Sequence, residues 1–376
     1  MFEVINKIWW WSVILVLSII NGNAQQLNQE RQFSQLEKKA GDAIYNLDFA
    51  SSQKIIAQLQ ELEPEHPVIS LLLAYEIYWK CFPLHPDSPQ YFQYKNLIDE
   101  GLDKALTQYK KKDTPETTFY VLSAHNFLLK YYDDEKNLLA ALREGTRTYP
   151  YLKMGLKLKE EYPDFYLYTG LYKFYREQYP ESYPSLKPLV WMFKGGSIEE
   201  GIYELKKAAT LGRIVTTEAK KYLGIIYLQY RNQPDSSIVY FEQLKNSYPN
   251  NDYFQMLYTE NLLNLEKYED AKKENKFLSQ SSNPYYQLSA GVFSGIYLEK
   301  KLKDDRKAET RYKASVEISK QLKAKTNNYL ANAYAGLARI SERAGNNKEA
   351  NYYYKMALKY GEYDGVKKEA RQFLEK

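Results

Sequence analysis

Residues 331–364 read ANAYAGLARISERAGNNKEANYYYKMALKYGEYD, and the spacing within them decides the fold. Small and apolar residues fall at Tyr334, Leu337, Ala338, Ala350, Tyr354 and Ala357, on either side of the turn Gly345-Asn346-Asn347. That is two helical stripes joined by a short break. Counted from residue 331 they occupy places 4, 7, 8, 20, 24 and 27 of a unit of about 34 residues. Small side chains at places 8 and 20 let the two helices approach, and the larger ones fill the space between hairpins. One such hairpin cannot bury its apolar face alone, so neighbours are required.

The neighbours are upstream. Residues 217–250 offer Leu223, Gly224, Tyr227, Ser236, Tyr240 and Pro249 at corresponding places. Windows near 251–283 (Tyr258, Leu262, Ala271, Leu278) and 288–322 (Gly295, Leu298, Ala308, Tyr312, Ser315) fit with one slipped residue. Residues 364–376, DGVKKEARQFLEK, carry a single apolar stripe and a charged face, the pattern of a helix that caps a stack. Leu47-Asp48-Phe49 followed by Ile55, Ile56, Leu59, Leu62 and Pro64 reads as the second half of a degenerate unit. Between 67 and 195 the helical period continues while the unit length does not hold. Helices are predicted there over 67–82, 89–111, 116–131, 134–147, 150–161, 164–178 and 188–193, with a break at Pro150, and no segment of the chain reads as a strand.

These residues resemble a tetratricopeptide repeat protein of the exported bacterial type. The departures are Ser341 at place 11, where the family prefers an aromatic, and Glu362 at place 32, where it prefers proline. A second, shorter stretch, 164–210, is similar to the inclusion-clearance family of tetratricopeptide proteins at mitochondrial outer membranes. The resemblance implies an all-α fold, an α-solenoid wound as a right-handed superhelix of helical hairpins with a carboxy-terminal capping helix. It also implies a concave groove that binds a peptide or partner protein through places 2, 5, 9 and 12. Here these are Asn332, Ala335, Arg339 and Glu342 in the clearest unit, and Glu218, Lys221, Ile225 and Leu228 in the earlier one.

The amino terminus differs from everything after it. Residues 8–20, IWWWSVILVLSII, form an uncharged run behind Lys7, with small residues at Gly22 and Ala24. This is the layout of a signal peptide over 1–24, too short to cross a bilayer comfortably. The expected organisation is therefore a signal over 1–24, divergent hairpins over 25–195 and regular repeats over 196–376. An exported protein, periplasmic or associated with the outer membrane of a Gram-negative bacterium, follows; the alternative is an uncleaved helix that anchors it.

Charge excludes little: a net +5 spread over 376 residues gives no field that dictates an anionic partner. Residues 300–325 hold ten Lys or Arg, yet Asp304, Asp305, Glu309 and Glu317 lie at pairing distance on the same helix. A nucleic-acid partner is not expected. Tyrosine is the outlier, with 38 Tyr against 15 Phe and 5 Trp. Tyr168, Tyr172 and Tyr175 share a helix face, as core residues do, but aromatic rings also grip peptides and stack on sugars.

Chemistry is absent from the motifs. Cys81 stands alone, so no internal disulfide forms, and its apolar context reads as a small buried hydrophobe. His66, His85 and His125 lack metal spacing, and no GxSxG, HExxH or phosphate loop occurs. No cofactor, metal or catalytic residue is expected, and the protein is read as a non-enzymatic scaffold within a protein complex of the envelope. Two other readings stay open: a glycan-binding outer-membrane helical protein of the SusD-like class, and an unrecognised hydrolase. The one phosphate-loop lookalike, WMFKGGSIEEGI at 191–202, reads as a bend, because Ser197 and Glu200 form a capping box that fills the helix start.

Overall fold

The computed structural model of the chain describes residues 28–182, 195–322, 326–361 and 364–375. The signal expected over 1–24, the helix expected at 188–193 and the aromatic start of the 191–202 stretch lie outside them. Among the described residues there are 17 helices and no strand. They are α1 (28–45), α2 (Phe49–Leu62), α3 (Pro67–Lys80), α4 (Pro89–Lys111), α5 (Pro115–Asp134), α6 (Leu138–Leu158), α7 (Phe165–Ser182) and α8 (Ile198–Leu211). The series continues with α9 (Thr216–Ile225), α10 (Pro234–Ser247), α11 (Asp252–Asn264), α12 (Tyr268–Ser279) and α13 (Pro284–Ile296). It closes with α14 (Asp305–Gln321), α15 (Asn327–Arg343), α16 (Asn347–Tyr360) and α17 (Asp364–Leu374). Each helix packs chiefly on its sequence neighbours, so α1 to α16 are eight hairpins and α17 is the cap. The chain is an all-α helical-repeat solenoid.

The same short turn closes six of the eight hairpins. Leu47, Lys136, Asn232, Glu266, Lys303 and Gly345 each adopt a positive φ of 50–74° between the two helices. Only Gly345 takes that left-handed conformation without a Cβ penalty. The residue that follows starts the second helix, and the side chains of Asp48, Asn137, Asp304 and Asn346 accept an amide hydrogen bond there. Hairpins two and four lack the turn. In their place stand residues 81–88 and 183–197, and these insertions are why the unit length fails between 67 and 195.

Close approach through small residues recurs even across the longer insertion. Ala338 and Ala350 are both fully buried in α15 and α16. In the fourth hairpin Gly170 faces Gly201, where a Cβ on Gly170 would stand 3.0 Å from the Gly201 carbonyl oxygen. The sequence reading needs one correction in register, and the slips it allowed find their cause. A π turn over Ile226–Tyr230 extends α9 by one extra residue, so Gly224 packs on Phe241, and its carbonyl accepts from Ser237 Oγ at 2.8 Å. Ser237 and Phe241, rather than Ser236 and Tyr240, therefore hold places 20 and 24. A second π turn over Tyr297–Lys301 explains the slip between Gly295 and Ala308. Thr259, fully buried, takes the small-residue place beside Tyr258, which the slip in the 251–283 window requires. A second difference is α6, which runs unbroken through Pro150, with α5 and α7 packed against it.

The first helices of hairpins one to five, α1, α3, α5, α7 and α9, face inward, and the ring they make is closed. Tyr248 Oη donates to Asp42 Oδ1 (2.7 Å), Asn251 Nδ2 to the Tyr45 carbonyl (2.7 Å) and Asn283 Nδ2 to the Phe82 carbonyl (2.7 Å). Around these bonds Tyr45, Trp79 and Phe82 meet Tyr253, Phe254 and Tyr285 at ring-centroid distances of 5.1–6.1 Å. Asp164 fixes the far side, accepting the amides of Arg213, Ile214 and Val215 at 2.8–3.3 Å. Beyond the ring, hairpins six to eight stack regularly to α17.

Candidate functional site: a tyrosine-lined cavity inside the ring

The ring encloses a cavity of about 250 Å³. Aromatic rings enter its wall from every inner helix: Tyr45 from α1, Tyr75 and Tyr78 from α3, Phe127 from α5, Tyr168 from α7 and Tyr222 from α9. Helical spacing places these side chains on inward stripes, as at Leu71, Tyr75 and Tyr78. Amid the rings stands one ion pair, Lys221 Nζ to Glu218 Oε2 at 2.5 Å. Glu218 also accepts from Tyr45 Oη at 3.0 Å and from the Tyr75 hydroxyl.

The electrostatics follow from this enclosure. Burial pushes the Glu218 carboxyl up, but Lys221 and the two phenols outweigh it and hold the group below the usual carboxylate range. Burial likewise opposes the charge on Lys221, and the Glu218 carboxylate reverses that, so the ammonium stays protonated. The surrounding phenols are driven well up, chiefly by burial and then by the Glu218 charge, and remain neutral donors. The hydroxyls of Tyr78 and Tyr222 make no hydrogen bond to another described residue. At the wall near α1, burial pushes Glu37 up to about 7, and Tyr120 donates to it at 2.7 Å. A guest in this space therefore meets ring faces, neutral hydroxyl donors, the Glu218–Lys221 dipole and the further charged side chains Lys38, Asp42, Lys130 and Arg213.

The eight groove residues named from the sequence do not share one site. Glu218 and Lys221 line the ring cavity. Ile225 lines a second cavity farther along the concave face, where Asn332 Nδ2 donates to the carbonyl of its wall residue Asn328 at 2.9 Å. Leu228 and Ala335 are buried, at 7% and 1% exposure, and offer nothing to a partner. Glu342 is exposed and accepts from Tyr354 Oη at 3.4 Å. Arg339 is occupied: it pairs with Glu299 at 2.7 Å and with Glu369 of the cap at 2.9 Å. Arg343 and Tyr312 also reach Glu299, which the π turn carries into the interior. Arg339 thus clamps α17 onto the stack.

Other expectations resolve locally. His66 caps α3 through Nδ1, and burial lowers its imidazole to about 4. His85 accepts from the Asp87 amide, and His125 lies against Glu144 at 2.5 Å. Among the described residues no group of three or more potential metal ligands comes together. Cys81 is half-buried rather than buried, and desolvation raises its thiol. Ser197 caps α8 at 3.3 Å, but Glu200 does not close the box; its carboxylate pairs with Lys173 at 2.6 Å instead. Gly195 has a φ of +70°, as a bend requires. The sequence reading missed Tyr45, Tyr75 and Tyr78, whose only advance signal was the excess of tyrosine.

No family model matches the sequence, and no curated protein matches it. Solved structures with similar topology include a tetratricopeptide repeat protein from Parabacteroides merdae, at 14% identity over 81% of this chain and 99% of that one, with a TM-score of 0.34. The human IFIT1 dimer with PPP-AAAA is similar at 15% identity over 87% of this chain and 94% of that one (TM-score 0.39). The P58(IPK) TPR domain is similar at 13% over 93% and 98% (TM-score 0.25).

Proposed function

We propose that the protein is an exported, non-enzymatic interaction scaffold, and that the ring cavity is where it seizes its partner. The observation that carries this reading is the Glu218–Lys221 pair set among inward-facing tyrosines. A solenoid offers its first helices as a binding surface, and enclosed aromatic pockets are where interface energy concentrates. About 250 Å³ admits one or two partner side chains or a chain end, not a threaded peptide, so capture is by an anchor. The partner is a protein of the cell envelope.

A photo-crosslinking residue at Tyr168 tests this in the exporting cell. The expected result is an adduct with one envelope protein, lost in the Lys221→Met variant. A second reading, a glycan ligand, is favoured by the unoccupied Tyr78 and Tyr222 hydroxyls, which suit a sugar ring. Oligosaccharide binding by the purified protein, with no adduct formed in cells, would replace the first reading by the second.

A further inference from the structure

The second cavity, about 180 Å³, lies on the concave face between hairpins five and eight. Tyr253, Met256 and Leu257 of α11 line it, with Tyr285 of α13, Tyr329 of α15 and Gln229 from the first π turn. Glu260 is the next residue on the α11 stripe, one turn past Leu257 and Met256. Its side chain shares a partner with the cavity wall, since Asn328 Nδ2 donates to Glu260 Oε1 at 3.1 Å.

Glu260 is only 9% exposed, and its Oε2 has no partner among the described residues. No described Lys, Arg or His pairs with it. Gln229 Oε1 is a second buried acceptor without a partner. Of the other buried carboxylates, Glu218 is matched by Lys221, Glu299 by Arg339 and Glu204 by Lys159, while Glu37 and Glu76 take hydroxyl or amide donors instead. A buried carboxylate left without a cation is costly. Here the carboxyl answers by rising to about 7, with burial the main cause.

The missing complement can be read from the wall. In and beside it stand two unpartnered acceptors, Gln229 Oε1 and Glu260 Oε2, with three tyrosine rings, and what satisfies both is a cation carrying only donors. We infer that this cavity is a binding site for an alkylammonium group, which pairs with Glu260 and Gln229 against the faces of Tyr253, Tyr285 and Tyr329. The proposed function is needed only to name the source: a lysine side chain of the captured partner, in place of a free amine.

The test uses the full mature chain and n-butylammonium chloride, with butyrate and 1-butanol as matched controls, read by calorimetry and thermal shift. Saturable binding of butylammonium alone is expected, weakened at least about tenfold by Glu260→Gln and also weakened by Gln229→Leu. Equal binding of butanol, full affinity in Glu260→Gln, or no saturable binding of butylammonium overturns the assignment. A lysine peptide that competes with butylammonium identifies the partner side chain as the source, and failure to compete assigns the site to free amines. The Tyr168 crosslink is read separately, so loss of the cation site leaves the scaffold reading to stand or fall alone.

Discussion

The two ends of this solenoid solve the same packing problem differently. Hairpins six to eight stack on neighbours in sequence, and their far end is sealed by α17 through the Arg339–Glu299–Glu369 clamp. Hairpins one to five close into a ring whose seam is sealed by hairpins six and seven, with α1 and the end of α3 laid against α9, α11 and α13 through contacts some 200 residues apart in sequence, such as Asn251 to Tyr45. A cap spends one helix to hide a stacking face, whereas closure makes the first hairpin hide the later ones. The difference teaches that a cavity arises where the ring closes, because inward stripes of large rings cannot all meet at the centre.

The comparison breaks most readily at Trp79, which is 4% exposed in the seam of the ring. Trp79→Ala should cost about 3–5 kcal/mol in chemical denaturation. It should also split unfolding into two transitions, with the carboxy-terminal one unmoved. A single undivided transition would mean that ring and stack are one unit. Arg339→Ala should cost about 3 kcal/mol by stranding the buried Glu299 carboxylate, and detach α17 first, as hydrogen exchange would reveal. Unchanged exchange in α17 would break the clamp.

Acid sharpens the comparison, because each half holds one carboxyl raised by burial to about 7, Glu37 in the ring and Glu260 in the stack. A carboxyl whose folded pKa exceeds its unfolded value near 4.5 favours the folded state while protonated. That stability is fully present below about pH 4.5 and is lost as pH rises through about 7. Each group contributes at most about 3 kcal/mol, so melting temperature should fall from pH 5 to 8. Glu37→Gln and Glu260→Gln should each flatten part of the slope, in the transition of its own half. Smaller still, Tyr248→Phe should cost about 1 kcal/mol through the lost bond to Asp42, in the ring alone. The smallest effect is a gain: Lys303→Gly relieves a left-handed residue and should add roughly 0.5 kcal/mol, read as a rise in melting temperature.

Local pattern carried most of the fold. In 331–364 nothing is inserted, so Ala338, Ala350 and Tyr354 stand where a fixed period places them, and the hairpin was legible outright. The same period misjudged Ser236 and Tyr240, because the extra residue at 226–230 sits inside a helix, where no glycine or proline marks it. It lost Gly170 and Gly201 as a pair because a long insertion separates them. Arg339 illustrates a deeper limit. A groove place says which way a side chain leaves its helix, and not whether Glu299 and Glu369 already wait there. Ring closure was beyond reach for the same reason, since no repeat encodes which residues meet after several hairpins have turned the chain back.

That closure changes how the molecule answers a pull. Stacked repeats joined only to their neighbours yield one at a time, each release setting free a short length of chain. Here the bonds from Asp42, Tyr45 and Phe82 to Tyr248, Asn251 and Asn283 span the loop like a drawn purse string. Tension on the carboxy-terminal side would peel α17 and the last hairpins in small steps and then stall at the ring. Past that point the remainder gives way together in one long extension, emptying the tyrosine cavity in the same event.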